Sequence, residues 1–173
     1  MKMTLIMMLL IPSSLFAAAD VRGRLSITPI VGIERVQKIY PTPHMKTRTI
    51  FGARAIYRFP ISALELEYTH AQDTEDKIRL GLRGGFNMGS FVSSYLRGGA
   101  QYRKSETVKT VGSAASTSES TSKVQPYAGA GIDFKILTYF SITADILATY
   151  TPTNDPNLKD YELQPSLGLA LKF

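Results

Sequence analysis

The sequence predicts an all-β fold, an eight-stranded antiparallel up-and-down transmembrane β-barrel, on three observations. Apolar and polar residues alternate with a period of two along eight segments, as in strands with one apolar face. Most of these segments reach about 10 residues, the length with which a tilted strand crosses a bilayer. No run of about 18 apolar residues is present, so the chain has no candidate transmembrane helix. Because lipid offers the backbone no hydrogen-bond partners, a sheet of such strands must close on itself.

The first four strands are predicted from the parity of their apolar residues. In strands one and two, residues 24–36 and 48–59, the apolar residues occupy odd-numbered positions. In strands three and four, residues 63–70 and 77–86, they occupy even-numbered positions. The residues of the opposite parity are polar, charged or small, which predicts one lipid-facing and one inward-facing side for each strand.

The second half of the chain repeats this pattern. Strand five, residues 91–103, has apolar residues at even positions, although serine and glycine dilute them. Strands six and seven, residues 123–134 and 139–150, show even parity more clearly, and strand eight, residues 161–173, shows odd parity to its last residue. Short connections follow strands two, four and six, and longer ones follow the others. This asymmetry is typical of periplasmic turns and extracellular loops in membrane barrels.

Two connections carry further predictions. Residues 104–122 are rich in serine and threonine and lack a hydrophobic pattern, which predicts a long mobile extracellular loop that could contact an unknown ligand. The connection before strand four contains Asp73, Glu75 and Asp76. We expect these carboxylates to be solvated, with weak potential to bind calcium.

The start of the chain has the features of a secretory signal peptide. Lys2 supplies a positive charge, residues 5–11 are apolar, and alanines at 17–19 form a cleavage site before Asp20. We therefore predict a signal peptide at residues 1–19 and a barrel domain at residues 20–173. An uncleaved anchor is the alternative, and the short apolar segment disfavours it. The sequence has no cysteine, so neither disulfides nor lipid attachment to a cysteine is expected.

The polar faces of the predicted strands are rich in charge. An eight-stranded barrel is only wide enough for side chains to fill it, so interior charges must be paired or hydrated. Glu65 and Glu67 of strand three are expected to meet arginines of strands two and four. The predicted interior network is Arg54, Arg58, Glu65, Glu67, Arg79, Arg83, Arg97, Asp133, Asp145 and Glu162; Glu34, Lys77 and Arg103 share its parity. A structural plug is the favoured interpretation, and an ion path is the alternative.

The end of the chain resembles the C-terminal signal that the barrel assembly machinery reads in bacterial outer-membrane proteins. The residues that carry this resemblance are Tyr161, Leu167, Leu169, Leu171 and Phe173. The segments YRFP at 57–60, LELEY at 64–68 and YAGAGID at 127–133 resemble the OmpA/OmpX-like family of small outer-membrane barrels. This resemblance implies export to the periplasm, residence in the outer membrane as a monomer, and contact with lipid and lipopolysaccharide.

For function, the family resemblance implies a structural or surface-interaction role: envelope integrity, adhesion, or docking through extracellular loops. A narrow porin-like channel is one alternative. A lipid A-modifying enzyme that uses His70 is another, disfavoured because His44 and His70 are the only histidines and neither has a serine beside it. We therefore expect no enzyme activity, no cofactor and no metal. The net charge of +6 is dispersed at strand spacing, so a nucleic-acid partner is not expected.

Overall fold

The computed structural model describes residues 24–38, 44–72, 75–111, 115–152 and 160–173. The predicted signal peptide and its cleavage site lie outside the described residues. Within the described ranges, no helix is long and apolar enough to span a membrane.

Eight antiparallel strands form one closed barrel in chain order. The strands are β1 (Leu25–Lys38), β2 (His44–Arg58), β3 (Ala63–Ala71), β4 (Glu75–Asn87), β5 (Val92–Val111), β6 (Ala115–Leu137), β7 (Phe140–Tyr150) and β8 (Tyr161–Lys172). Each strand pairs with its neighbour in sequence, and pairing of β1 with β8 closes the sheet. The predicted fold class is confirmed.

Burial in the barrel is the reverse of that in a soluble protein. Leu66 and Leu82 on the outer surface are 51% and 61% exposed, whereas Arg54, Glu67 and Arg79 in the interior are 0% exposed. The exposed residues have the parity that the sequence predicts for the lipid-facing side of each strand. A continuous apolar outer surface of this kind suits contact with acyl chains and not with water.

The prediction of a loop over residues 104–122 is wrong. β5 continues to Val111 and β6 begins at Ala115, and the two strands pair from Lys104–Ser122 to Val111–Ala115. Residues 112–114 lie outside the described part. Two strands can satisfy each other's backbone hydrogen bonds without an apolar face, and this segment contains several β-branched threonines and valines. A lipid-facing pattern is needed only where a strand crosses lipid, so its absence did not indicate a loop.

The two ends of the barrel differ. The end that we call the inner end has the short turns 59–62, 88–91 and 138–139 and both described ends of the chain, where the Phe173 amide donates to the Leu25 carbonyl at 2.8 Å. The opposite, outer end carries the remaining connections and the extended β5–β6 hairpin. In membrane barrels of this type, short turns face the periplasm.

Candidate functional site

The charged residues of the barrel interior lie in three groups along the barrel axis. We call the group near the outer end the outer cluster: Glu34, Arg48, Glu75, Lys77, Arg103 and Glu162. The central cluster consists of Arg54, Glu65, Glu67, Arg79, Arg97 and Asp145. The inner mouth, at the inner end, consists of Arg58, Arg83, Asp133, Lys135 and Lys172. Strand alternation directs all of these side chains inward.

The central cluster contains three arginines and three carboxylates. Arg97 Nη1 donates to Glu65 Oε1 at 2.6 Å and to Glu67 Oε2 at 2.7 Å. Arg54 donates from Nε to Glu67 Oε2 at 2.7 Å and from Nη1 to Asp145 Oδ2 at 2.8 Å. Arg79 also donates to Glu67, which thereby accepts from three guanidinium groups. Close opposite charge offsets the loss of hydration that these buried groups suffer.

The outer cluster is likewise balanced, with three bases and three carboxylates. Arg48 Nη2 bridges Glu34 Oε2 at 2.8 Å and Glu75 Oε1 at 2.6 Å, and Lys77 also binds Glu34. Arg103 donates to Glu162 Oε2 at 2.8 Å and to Glu75 Oε2 at 3.0 Å. The cluster therefore links five strands, β1, β2, β4, β5 and β8, across the lumen.

Amides and aromatic rings fill the spaces between these clusters. Gln101 and Gln164 accept hydrogen bonds from Arg79, each at 2.6 Å. On the inner side, the Tyr95 hydroxyl lies 2.9 Å from Thr143 Oγ1 and 3.0 Å from Asp145 Oδ2. Gly131 leaves room for the Tyr95 ring, because a Cβ at position 131 would overlap that ring.

Arg54 and Arg79 meet Glu67 as the sequence indicates, but Arg83 does not join the carboxylates of β3. Arg83 pairs with Asp133 on β6. The register explains the difference, since Arg83 lies opposite Ala63, which is closer to the inner end than Glu65. Arg58 also lies opposite Ala63, and it interacts electrostatically with Arg83 and Asp133. Both arginines therefore belong to the inner mouth.

The sequence reasoning missed two members of the outer cluster, Arg48 and Glu75. Glu75 was expected to be solvated in a loop, but it begins β4, is 3% exposed and contacts Arg48 and Arg103. The prediction of weak calcium potential at residues 73–76 is therefore wrong for Glu75; Asp73 lies outside the described residues. Both missed residues have the inward parity of their strands. Extending strand four by two residues would have placed Glu75 in the lumen.

The candidate catalytic histidine, His70, lies on the outer surface near the outer end. Its Nδ1 is 2.8 Å from Asp76 Oδ1, and the Tyr68 hydroxyl donates to the same oxygen at 2.7 Å. The ring of Phe51 packs against the imidazole with 5.3 Å between centroids. These contacts orient the imidazole, while the side chain of His44 lies outside the described residues.

The residues of the predicted assembly signal lie on the outer surface of β8 and just beyond its end. Leu167 pairs with Val31 and Leu171 with Ile27, in the seam that closes the barrel. All five residues, Tyr161, Leu167, Leu169, Leu171 and Phe173, are exposed on the lipid-facing side. Their position makes the last strand necessary for closure, and recognition by the assembly machinery stays a prediction.

No family model matches the chain, and no curated protein sequence matches it. Several solved structures, however, are similar to this chain in fold. Neisserial surface protein A is 13% identical over 86% of this chain and 96% of its own, with a TM-score of 0.63. The N-terminal β-barrel domain of Pseudomonas aeruginosa OprF is 17% identical over 88% and 100%, with a TM-score of 0.60. Ail of Yersinia pestis, crystallised with the heparin analogue sucrose octasulfate, is 21% identical over 88% and 99%, also with a TM-score of 0.60.

These similarities extend over nearly the whole of each solved barrel, at identities too low to compare individual side chains. They agree with the closed eight-stranded topology described above. The chain has the fold of the small eight-stranded outer-membrane β-barrels.

Proposed function

We propose that this chain is a monomeric outer-membrane protein whose closed barrel holds an extracellular hairpin for contacts at the cell surface. In this proposal the barrel has a structural and anchoring role. The interior charges stabilise the fold and do not conduct ions. The apolar outer surface contacts lipid and lipopolysaccharide, and the barrel assembly machinery inserts the chain after export and removal of residues 1–19.

The observation that carries this proposal is the inaccessibility of the central charged side chains. Arg54, Glu67, Arg79 and Gln101 are all 0% exposed. A water-filled channel through the barrel would leave the residues that line it accessible to water. Their complete burial, together with the balanced ion pairs around Glu67, supports a closed lumen over the narrow porin-like alternative.

The surface-interaction part of the proposal rests on the hairpin of β5 and β6. β4 pairs with β5 only as far as Ser105, and β7 pairs with β6 only from Tyr127 inward. Among the residues that the structure describes, six further rungs, from Glu106–Ser120 to Val111–Ala115, involve only two strands. This ribbon extends beyond the other strands by about 20 Å at ~3.3 Å per residue. Its two edges have backbone groups free of a third strand, and such edges can pair with an added strand.

The solved structures of similar fold support an interaction role. Ail carries the description attachment invasion locus protein and binds a heparin analogue in its crystal. Here the corresponding ligand would contact the ribbon at the outer end, within residues 104–122. The pair of His70 and Asp76 is, in this proposal, an interfacial hydrogen bond without a catalytic role.

Conductance distinguishes this proposal from the channel. The barrel, purified from membranes of expressing cells, is incorporated into planar bilayers, and we expect no steady conductance steps. A variant that truncates the central side chains, Arg54→Ala/Arg79→Ala, serves as the positive control and should show flickering conductance. Large stable steps from the unmodified protein would overturn the proposal in favour of the channel.

Orientation and exposure are tested on intact cells. An epitope inserted between Val111 and Ala115 should be labelled by antibody on intact cells. The same epitope in the turn at residues 88–91 should be labelled only after the cells are permeabilised. Labelling in the reverse order would contradict the surface role of the hairpin.

A further inference from the structure

The inner mouth differs from the two clusters behind it in its charge balance. A cavity of about 560 Å³ opens at the inner end, and the charged residues in its lining are Arg58, Arg83, Asp133, Lys135 and Lys172. Four of these five side chains are cations and one is a carboxylate, which leaves an excess of three positive charges. The rest of the cavity lining, within the part of the chain that the structure describes, contains no other acidic residue.

The single carboxylate of this cavity is already engaged. Asp133 forms an ion pair with Arg83, whose guanidinium carbon lies 3.3 Å from the centroid of the Tyr95 ring. Lys172 experiences the like charges of Arg58, Arg83 and Lys135, against the one opposing charge of Asp133. Repulsion among partly buried cations is unfavourable, so a bound anion would lower the energy of this end of the barrel.

The cavity is a pocket and not the entrance to a passage. Tyr95 lines its base, and the Tyr95 hydroxyl is tied to Thr143 and Asp145 of the barrel wall. Beyond it lies the fully buried central cluster, with Arg54 and Arg97 bound to their carboxylates. A solute that enters from the inner end is therefore held against the cations of the inner mouth.

We propose that the inner mouth binds a phosphate-bearing ligand. Arginine offers phosphate a planar pair of donors, and lysine adds a compact charge that can approach from another side. A phosphate dianion would neutralise two of the three excess charges. The cavity volume lies within the range of small-molecule sites, roughly 300–1,000 Å³. Phe59, Phe86 and Phe91, exposed at the rim, would contact the apolar part of an organic phosphate.

Two sources could supply this chemistry at the inner end: a soluble phosphate ester, or the headgroup of a phospholipid in the adjacent leaflet. For the soluble source, the barrel purified from membranes of expressing cells is titrated calorimetrically with inorganic phosphate and glycerol 3-phosphate at constant ionic strength. We expect one phosphate per barrel. The variant Lys135→Gln/Lys172→Gln should bind phosphate at least about tenfold more weakly.

Two further variants separate a specific site from general electrostatics and from misfolding. Lys104→Gln/Lys123→Gln removes the same two positive charges from exposed positions near the outer end and should leave phosphate affinity unchanged. Asp133→Asn removes the competing carboxylate and should tighten phosphate binding by roughly threefold, an increase that a damaged barrel would not show. Each variant is first required to show heat-modifiable migration on a gel, as a folded barrel does.

The lipid source is tested in parallel with nanodiscs of phosphatidylcholine containing phosphatidylglycerol. Native mass spectrometry then measures the phosphatidylglycerol that each variant retains. Phosphate binding in solution that depends on Lys135 and Lys172 supports a soluble ester. Retention of phosphatidylglycerol that depends on the same lysines, without binding in solution, supports a lipid headgroup. The absence of both, or equal loss in the outer-end control, would overturn the proposal.

Discussion

The central cluster and the inner mouth are built from the same residue types on the same inward-facing parity, yet they differ in balance and burial. The central cluster matches three arginines with three carboxylates, and its arginines are buried. The inner mouth sets four cations against Asp133 and borders an open cavity. Matched charges in a narrow lumen act as the core of the protein, whereas an excess of positive charge next to solvent forms a candidate binding site.

The largest effect is expected at Glu67. Glu67→Gln keeps the shape of the side chain but removes the charge that three guanidinium groups share. Loss of one member of a buried network leaves uncompensated charge, so we expect the free energy of unfolding to fall by roughly 3–5 kcal/mol. Urea unfolding in lipid vesicles measures this change.

The matched comparison for Glu67 is Asp160→Asn, which removes one negative charge from an exposed position at the outer end. Its unfolding midpoint should move little, because exposed charges contribute about 0–1 kcal/mol. Equal midpoints for the two variants would show that the central cluster is hydrated, and the description of a charge-matched core would have to be given up.

A smaller loss is expected in the outer cluster at Arg103. This side chain is 17% exposed and bonds Glu75 and Glu162. Arg103→Gln retains hydrogen-bonding capacity, and the nearby solvent hydrates the carboxylates that remain. We expect a destabilisation of about 1–2 kcal/mol, measured by the same unfolding assay. A loss of unfolding free energy as large as that of Glu67→Gln would show that the outer cluster contributes as much to stability as the central cluster.

Removal of a positive charge from the inner mouth should increase the stability of the barrel, whereas removal of a charge from the other two clusters should decrease it. Lys172→Gln removes one of four mutually repelling cations, so in buffer without phosphate we expect a gain in stability of about 0.5 kcal/mol. The gain should shrink as salt rises, because counterions screen partly exposed charges. A clear loss of stability at low salt would indicate that Lys172 is matched after all, and the contrast between the two regions would fail.

The smallest effect is expected at His70. We expect His70→Ala to leave the mass spectrum of lipid A the same as in cells that express the unmodified protein or no protein, and to change stability little, because the imidazole is partly exposed. A mass shift that appears with the unmodified protein and disappears in the variant would establish the enzyme alternative.

Much of the fold could be predicted from the sequence because strand alternation has a period of two. Once an apolar face is identified, every residue of opposite parity is assigned to the lumen, which is why the inward direction of Glu67, Arg79 and Arg97 follows from the chain alone. The same rule failed for Glu75 only because the predicted strand four began two residues too late. It failed for residues 104–122 because paired strands outside lipid need no apolar pattern.

Which charges meet across the lumen was decided by the tertiary structure. Arg54 reaches Asp145, 91 residues away, and Arg83 reaches Asp133, 50 residues away, because closure and stagger of the sheet bring distant strands to the same height. Parity indicates that a side chain points inward, but it does not indicate the position of that side chain along the barrel axis. The alternating pattern is enough to predict an eight-stranded barrel with a charged interior. Only the closed sheet decided that these charges cancel at its centre and remain in excess at its inner end.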